Sequence, residues 1–379
     1  MGTSRDLRPI DLPSPSPLAP AGRLQAVLDL SIRKQVPGLS VALVDAAGLR
    51  WSAGIGLADL RTLTPATAQT IYPWFSMTKI ATATAVMQLV DRGMVDLDVP
   101  ASRYVPEFTP APHRSSDPPV TVRQLLNHSA GLPNPVPITW VHPADASGPD
   151  SRAFTRRLLT RHARLKAAPG ARSNYSNLGY LVLGEVIGNV SGIDYEDFVR
   201  TQLLHPLGMR ETDFIYREDM LSEAATGYHR RWPPVTPLLR LMLPKGVVGT
   251  AEGRFVALHR FYVNGPAYGG LIGPAVDAAQ FLRLHLRGGM IDGQRLLSRE
   301  AVAEMQQLSA TGRERDVGLG WFRSRIDTQR GERFWEHLGG GLGFWTLMRL
   351  YPDEELGIVV MGNATRYDHD RVAAAIRSV

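Results

Sequence analysis

The run Tyr72-Pro73-Trp74-Phe75-Ser76-Met77-Thr78-Lys79 decides the reading of this chain. Pro73 restricts the residue before it to extended geometry. The stretch Met77 to Gly93 is rich in Ala, Met, Leu and Val and has no internal Pro or Gly, so it reads as a long apolar helix. Ser76 then falls at a helix N-terminus, three residues before Lys79. Residues i and i+3 share one helix face, which brings a hydroxyl and an amine within hydrogen-bond reach. Free N–H groups and the positive end of the helix dipole gather at that terminus. A developing oxyanion is stabilised there and a nearby ammonium is discouraged from keeping its proton. Ser76 therefore reads as a nucleophile and Lys79 as the amine that activates it. The cation is a lysine in a chain that otherwise prefers arginine: of 42 Lys+Arg, only residues 34, 79, 166 and 245 are lysines. Arginine cannot be deprotonated in proteins, so a base at position 79 has to be lysine.

A second Ser-x-x-Lys occurs at Ser31 and Lys34. Leu24 to Gln35 reads as an amphipathic helix stopped by Pro37 and Gly38, so Ser31 lies in its interior or last turn. The dipole opposes an oxyanion there, and this pair reads as chance. For Ser76 the competing reading is an N-cap serine with Lys79 snorkelling outward.

At 379 residues the chain suggests two domains. Its 44% hydrophobic and 21% charged content describes a soluble globular protein, and no apolar run approaches the roughly 20 residues that span a bilayer. Residues 1–20 are Pro- and Ser-rich and lack the apolar core of a signal peptide, so they read as a flexible tail on a cytoplasmic protein. The absence of cysteine excludes disulfides, thiolate metal sites and a cysteine nucleophile. The net charge of +6 reads as arginines scattered along the chain, a solvated surface and not a nucleic-acid footprint. The ten histidines show no metal-ligand spacing, so no metal and no cofactor are expected.

Leu39 to Asp45 and Leu49 to Gly56, joined at Ala46-Ala-Gly48, read as a β-hairpin. Proline-dense residues 100–119 mark a domain boundary. Beyond them the signals are mostly helical as far as Gly269: residues 121–127, 152–166, a helix after Asn177, and 194–204. The apolar segment Trp232 to Val248 reads as a buried connection, with a lid or acyl-pocket wall as the alternative. Helices follow at 274–287 and 298–308. Then come strands at 318–325, 333–338, 344–350 and 356–361, and a closing helix at 366–376. Strands at both chain ends form one sheet only if the helical middle is an insertion. The expected fold is α/β, an antiparallel sheet flanked by helices, built from residues 21–110 and 270–379, with residues 111–269 as an inserted all-helical domain.

Ser76-x-x-Lys79, Tyr175-Ser176-Asn177 and His337-Leu338-Gly339, in this order and at these separations, resemble the three motifs of the serine β-lactamase and penicillin-binding-protein superfamily. The closest likeness is to class C β-lactamases, D-alanyl-D-alanine carboxypeptidases and family VIII carboxylesterases. It extends to Val122–Leu132, Ser176–Gly184 and Gly269-Gly270-Leu271, and so spans nearly the whole chain after the tail. It implies a β-lactamase/transpeptidase-like fold. A second Tyr-x-Asn at Tyr262 to Asn264 lacks both the following apolar helix and the matching neighbours, which selects Tyr175. A tyrosine there can exchange a proton with the serine oxygen and the leaving group. Asn177 offers both donor and acceptor, suited to holding Lys79 and a substrate carbonyl together. For each, the bland reading is a buried side chain satisfying backbone groups. Glycines after His337 let a substrate backbone lie close along the strand edge. By resemblance, the N–H of Gly340 pairs with that of Ser76 as an oxyanion hole.

Many β-lactamases of this type carry lysine where this chain has His337. A histidine, mostly neutral at pH 7, grips a substrate carboxylate less than a permanent cation does. The balance moves away from β-lactamase activity and towards esters or peptides, with a carboxylesterase on small or medium acyl esters as the first expectation. D-amino-acid peptidase, β-lactamase and acyltransferase activities, or a non-catalytic peptide-binding module, are the alternatives. The partner is a small ester, amide or lactam; oligomeric state is not legible in the periodicity.

Overall fold

Residues Gly38–Asp45, GLSVALVD, carry no charge until their last position and are buried almost throughout. Such a strand sits in the middle of a sheet covered on both faces. The computed structural model describes residues 35–231, 235–313, 315–324 and 331–378. The expected tail, the Ser31/Lys34 pair and all but the last residue of the helix read over Leu24–Gln35 lie outside that range. Among the described residues, Gly38–Asp45 pairs antiparallel with Leu49–Asp59 on one side and with Leu356–Gly362 on the other, with Val41 opposite Val360. The sheet has nine strands in the order Ala310–Thr311, Arg315–Val317, Phe322–Ser324, Trp335–Gly341, Phe344–Tyr351, Leu356–Gly362, Gly38–Asp45, Leu49–Asp59, Thr64–Pro65. Both ends of the chain thus build one antiparallel sheet.

Side-chain alternation sends the strands into two separate cores. Leu39, Val41, Leu43, Ile358 and Val360 pack with Val372, Ala373 and Ile376 of helix His369–Arg377. Ala42, Val44, Val359 and Met361 face the other way, into the main core with helix Ala275–Leu286. The central element of that core is helix Thr78–Asp91, where every residue from Thr78 to Leu89 is buried. A helix apolar all round belongs inside the protein, and this one is stopped by Gly93 at φ 70°. It packs against helix Asn177–Ser191, whose Leu178, Leu181, Val182 and Val186 belong to the same core. Among the described residues no helix is long and apolar enough to cross a membrane.

The middle of the chain departs from the all-helical expectation. It contains helices Val122–Leu126, Ser151–Arg161, Asn177–Ser191 and Tyr195–Val199, but also a three-stranded sheet of Gly227–Arg230, Phe255–Leu258 and Val248–Glu252. A further pair joins Val141–Pro143 to Phe261–Val263. These strands are three to five residues long, too short for a period of two to register. The second pair is closed by partners about 120 residues apart, through contacts that no local pattern encodes. The buried connection expected over Trp232 to Val248 is also corrected. Val235–Met242 forms a helix with Leu238, Leu241 and Met242 exposed, although Leu243 and Val247 are buried.

Candidate active site

Ser76 lies in a single 3₁₀ turn, Phe75–Met77, that leads directly into helix Thr78–Asp91. The turn is clamped from both sides. Tyr72–Pro73 pairs with Ile272–Gly273, the Trp74 amide donates to Leu271 O at 2.8 Å, and the Leu271 amide donates to Thr78 Oγ1 at 3.1 Å. Thr346 Oγ1 donates to Trp74 O at 3.1 Å from the large sheet. Phe75, immediately before the serine, is held at φ 46°, a left-handed conformation costly for a bulky residue. Its buried ring, tilted against Phe261 and Phe344 at centroid distances of 6.1 and 6.4 Å, accounts for why the backbone tolerates it.

Ser76 Oγ does not cap the helix. It lies 3.1 Å from Lys79 Nζ and accepts a hydrogen bond from the Tyr175 hydroxyl at 2.7 Å. Lys79 does not snorkel; it is fully buried, and its Nζ also donates to Tyr268 O at 2.6 Å. The rings of Tyr175, Tyr180 and Tyr268 surround the amine at 4.9 to 5.5 Å. The carbonyl and the ring faces attract an ammonium, but among the described residues no carboxylate pairs with it. Burial holds its pKa well below the ordinary lysine value. Tyr175 moves the other way: burial raises its phenol, only partly offset by the bond to Ser76 and the charge of Arg315. It stays a neutral donor.

His337 is buried on strand Trp335–Gly341, and its Nδ1 donates to Leu338 O at 2.8 Å. That bond leaves Nε2 as an acceptor, and it is buried without a partner. Burial above all, with the charge of Arg315 beside it, pushes the imidazole down to about 3, so it is neutral. Among the described residues this strand pairs on its outer side only through Glu336 opposite Phe322, leaving the edge from His337 to Gly341 open. Gly339 is required by packing: a Cβ there would stand 2.1 Å from Trp74 O. Gly340 is exposed on that open edge. Asn177 is buried with Oδ1 unpartnered, and Lys79 Nζ bonds to Ser76 and Tyr268 and not to it. The alternative tyrosine, Tyr262, accepts the Tyr216 amide at 3.0 Å, while Asn264 meets His142 Nδ1 at 2.6 Å, both apart from Ser76.

With this geometry in view, the comparisons with known proteins fix the relationship. Residues 23–379 match the beta-lactamase family. The chain belongs to that family. Members named among its relatives are serine hydrolases of several specificities. The chain is 33% identical over 284 residues to esterase EstB of Burkholderia gladioli, covering 69% of each chain. It is 26% identical over 294 residues to the D-alanyl-D-alanine-carboxypeptidase/endopeptidase AmpH of Escherichia coli K12, covering 76% of this chain and 69% of that one. The structure of EstCE1, described as a hydrolase with promiscuous acyltransferase activity, aligns with a TM-score of 0.75 at 22% identity. That alignment covers 95% of this chain and 98% of the other, and it shows the β-lactamase/transpeptidase-like fold.

Around this candidate site the structure adds residues that the sequence reading passed over. Tyr268 supplies the carbonyl that Lys79 binds, from a position 189 residues away. His128 sits at φ 59°, buried, with its ring 4.6 Å from that of Tyr175 and stacked on Phe322 at 5.5 Å. The Ser176 amide donates to His128 Nδ1 at 3.2 Å and the Asn174 amide to His128 O at 2.8 Å, so one residue braces both sides of Tyr175. The available signal was His128 itself, a potentially ionisable group inside the apolar-flanked run Val122–Leu132.

Proposed function

We propose that this chain is a carboxylesterase that hydrolyses small or medium acyl esters through an acyl-enzyme on Ser76. The observation that carries the proposal is the three-centre contact of Ser76 Oγ with a buried amine and a buried phenol. The protons balance around it. A neutral Lys79 donates one N–H to Tyr268 O and turns its lone pair to the Ser76 hydroxyl, while Tyr175 O–H donates to the serine oxygen. Ser76 attacks the ester carbonyl as its proton passes to Lys79 Nζ. The tetrahedral oxyanion is held by the N–H groups of Ser76 and Gly340. The proton reaches the departing alkoxide by way of Tyr175, the C–O bond breaks, and water repeats the sequence on the acyl-enzyme. Each oxyanion donor contributes on the order of a hundredfold or more in rate.

Ester preference rests on the neutral His337, which offers an anionic substrate no charge. A second reading, hydrolysis of a carboxylate-bearing amide or lactam, has one observation in its favour. The Arg315 guanidinium lies 5.9 Å from the ring centroid of Phe322, whose centroid is 5.0 Å from that of His337, so a cation stands near the site. The deciding experiment compares kcat/KM for a short-chain p-nitrophenyl ester and for nitrocefin, with Ser76→Ala as the blank. Fast ester turnover and little nitrocefin hydrolysis is the expected result; the reverse ranking overturns the ester assignment. Fluorophosphonate labelling is expected to vanish in Ser76→Ala, and undiminished labelling would remove Ser76 from the mechanism.

A further inference from the structure

Lys79 and Thr82 stand three residues apart on helix Thr78–Asp91, and so on one face of it. Each meets a carbonyl of the 3₁₀ turn Pro266–Tyr268. Lys79 Nζ donates to Tyr268 O at 2.6 Å, and Thr82 Oγ1 donates to Ala267 O at 2.7 Å. The competing acceptor in the helix itself, Thr78 O, is farther from Thr82 Oγ1 at 3.2 Å. Thr82 Oγ1 also lies 2.8 Å from the Tyr195 hydroxyl. A threonine hydroxyl has one proton, so with that proton on Ala267 O the Tyr195 O–H is the donor to Thr82. Thr82 and Tyr195 are both buried, and the Tyr195 ring is set edge-on against Phe214 at 5.5 Å. The turn itself is wedged between helices Thr78–Asp91 and Asn177–Ser191. Gly184 leaves the space that Ala267 fills, since a Cβ there would stand 2.7 Å from Ala267 Cβ. Gly265 enters the turn at φ 78°, and a Cβ there would stand 2.4 Å from Leu181 Cδ2.

We propose that Thr82 and Tyr195 are positioning residues for the reaction: through the Ala267 carbonyl they set the place of the Tyr268 carbonyl, and with it the direction in which Lys79 Nζ faces Ser76. This rests on the reading of Lys79 as the base. The Ala267 carbonyl belongs to the planar peptide that leads into Tyr268, so holding one carbonyl limits where the next can point. Tyr195 occupies the acceptor side of the Thr82 hydroxyl and keeps its proton turned to the turn. The Tyr268 carbonyl then takes one N–H of the amine, which fixes the rotation of Nζ and leaves its lone pair for the Ser76 hydroxyl 3.1 Å away. Geometry at that range matters, because a misplacement of about 1 Å costs up to about a hundredfold in rate.

The test is the pH dependence of kcat and KM for Thr82→Val, Thr82→Ser, Tyr195→Phe and Lys79→Met, on whichever of a p-nitrophenyl ester and nitrocefin the parent turns over faster. Thr82→Val keeps the shape and removes the donor. Its kcat is expected to fall about tenfold with KM little changed, and the midpoint of its kcat/KM profile to move to lower pH, because an ammonium at position 79 loses a well-placed acceptor. Thr82→Ser should restore both values. Tyr195→Phe should lower kcat in the same direction by about threefold. Burial raises the Tyr195 phenol, so neither substituted side chain carries charge in the range scanned, and a moved midpoint reports the amine. Partial unfolding of Thr82→Val would lower kcat without moving the midpoint. An unchanged kcat in Thr82→Val, or a lowered kcat with a midpoint that is unmoved or raised, overturns the proposal. If Lys79→Met is inactive in that case, the positioning role fails alone; if Lys79→Met keeps the parent's turnover, the base assignment fails and the proposal with it.

Discussion

Lys79 and Arg349 are both buried, 0% and 5% exposed, and differ in what meets them there. Arg349 donates to Glu336 Oε2 through Nε at 3.0 Å and Nη2 at 2.6 Å, reaches Asp370 at 2.5 Å, and lies over the Phe334 ring. Burial, the largest single influence, would depress it, but the charge of Glu336, the neighbouring Tyr351 and the hydrogen bonds to Asp370 and Glu336 together outweigh that and the guanidinium is held charged. Lys79 has a carbonyl, a hydroxyl and three tyrosine rings, with no described carboxylate. Burial with a counter-ion makes a structural tie between strand and helix; burial without one makes a group inclined to give up its proton. In the proposed mechanism the two residues thus separate stability from chemistry within one fold.

The sharpest way to break this contrast is Lys79→Met. It is expected to lower kcat/KM about 10⁴-fold while leaving stability unchanged or raised, because an unpaired buried amine is costly to the fold. Steady-state kinetics and a urea midpoint check both halves. Loss of stability would put Lys79 in the same class as Arg349. Arg349→Met should do the opposite: it strands Glu336, which is 4% exposed, and is expected to cost about 3–5 kcal/mol in denaturant unfolding. The folded fraction should keep its kcat.

A smaller effect tests what braces the phenol. Asparagine tolerates the positive φ of His128 and can offer Oδ1 to the Ser176 amide, but has no ring to pack on Tyr175. His128→Asn is expected to lower kcat about tenfold with KM little changed, read from the separate kinetic constants. A change confined to KM would mean that His128 shapes binding and not the position of Tyr175.

The gentlest probe is pH. In the proposed mechanism Lys79 acts when neutral, so kcat/KM should rise with pH through a midpoint well below the ordinary lysine range, and a midpoint near that range would refute the buried base. No inflection from His337 is expected between about pH 5 and 8. Stability should respond in a different window. His285 and His337, each pushed down to about 3 by burial, stay neutral in the fold while the unfolded chain takes up protons near 6.5. Their contribution is complete above that value and is lost as pH falls from near 6.5 towards 3. Thermal unfolding across that range checks the sign.

Much of the site was legible because its spacing is local or its residue types are rare. Ser76 and Lys79 lie one turn apart, so helix geometry alone brings them together. Gly339 read as room for a substrate backbone along the strand edge, and the structure sets a different neighbour against it, the Trp74 carbonyl. Arginine preference made Lys79 conspicuous. His128 was passed over because its importance lies in a backbone angle and in neighbours at residues 174–176 and 322.

The sequence by itself determined that a serine and a lysine share the first turns of a buried helix, and that strands from both chain ends meet in one antiparallel sheet. Periodicity and i, i+3 spacing are properties of the local chain, and they survive without knowledge of what packs where. Only the tertiary structure decided the state of the lysine. The Tyr268 carbonyl lies 189 residues from Lys79 and the Tyr175 hydroxyl 99 residues from Ser76, and no described carboxylate joins them around the amine. A pKa is set by desolvation and by nearby charge, and both exist only once the chain has closed around the group.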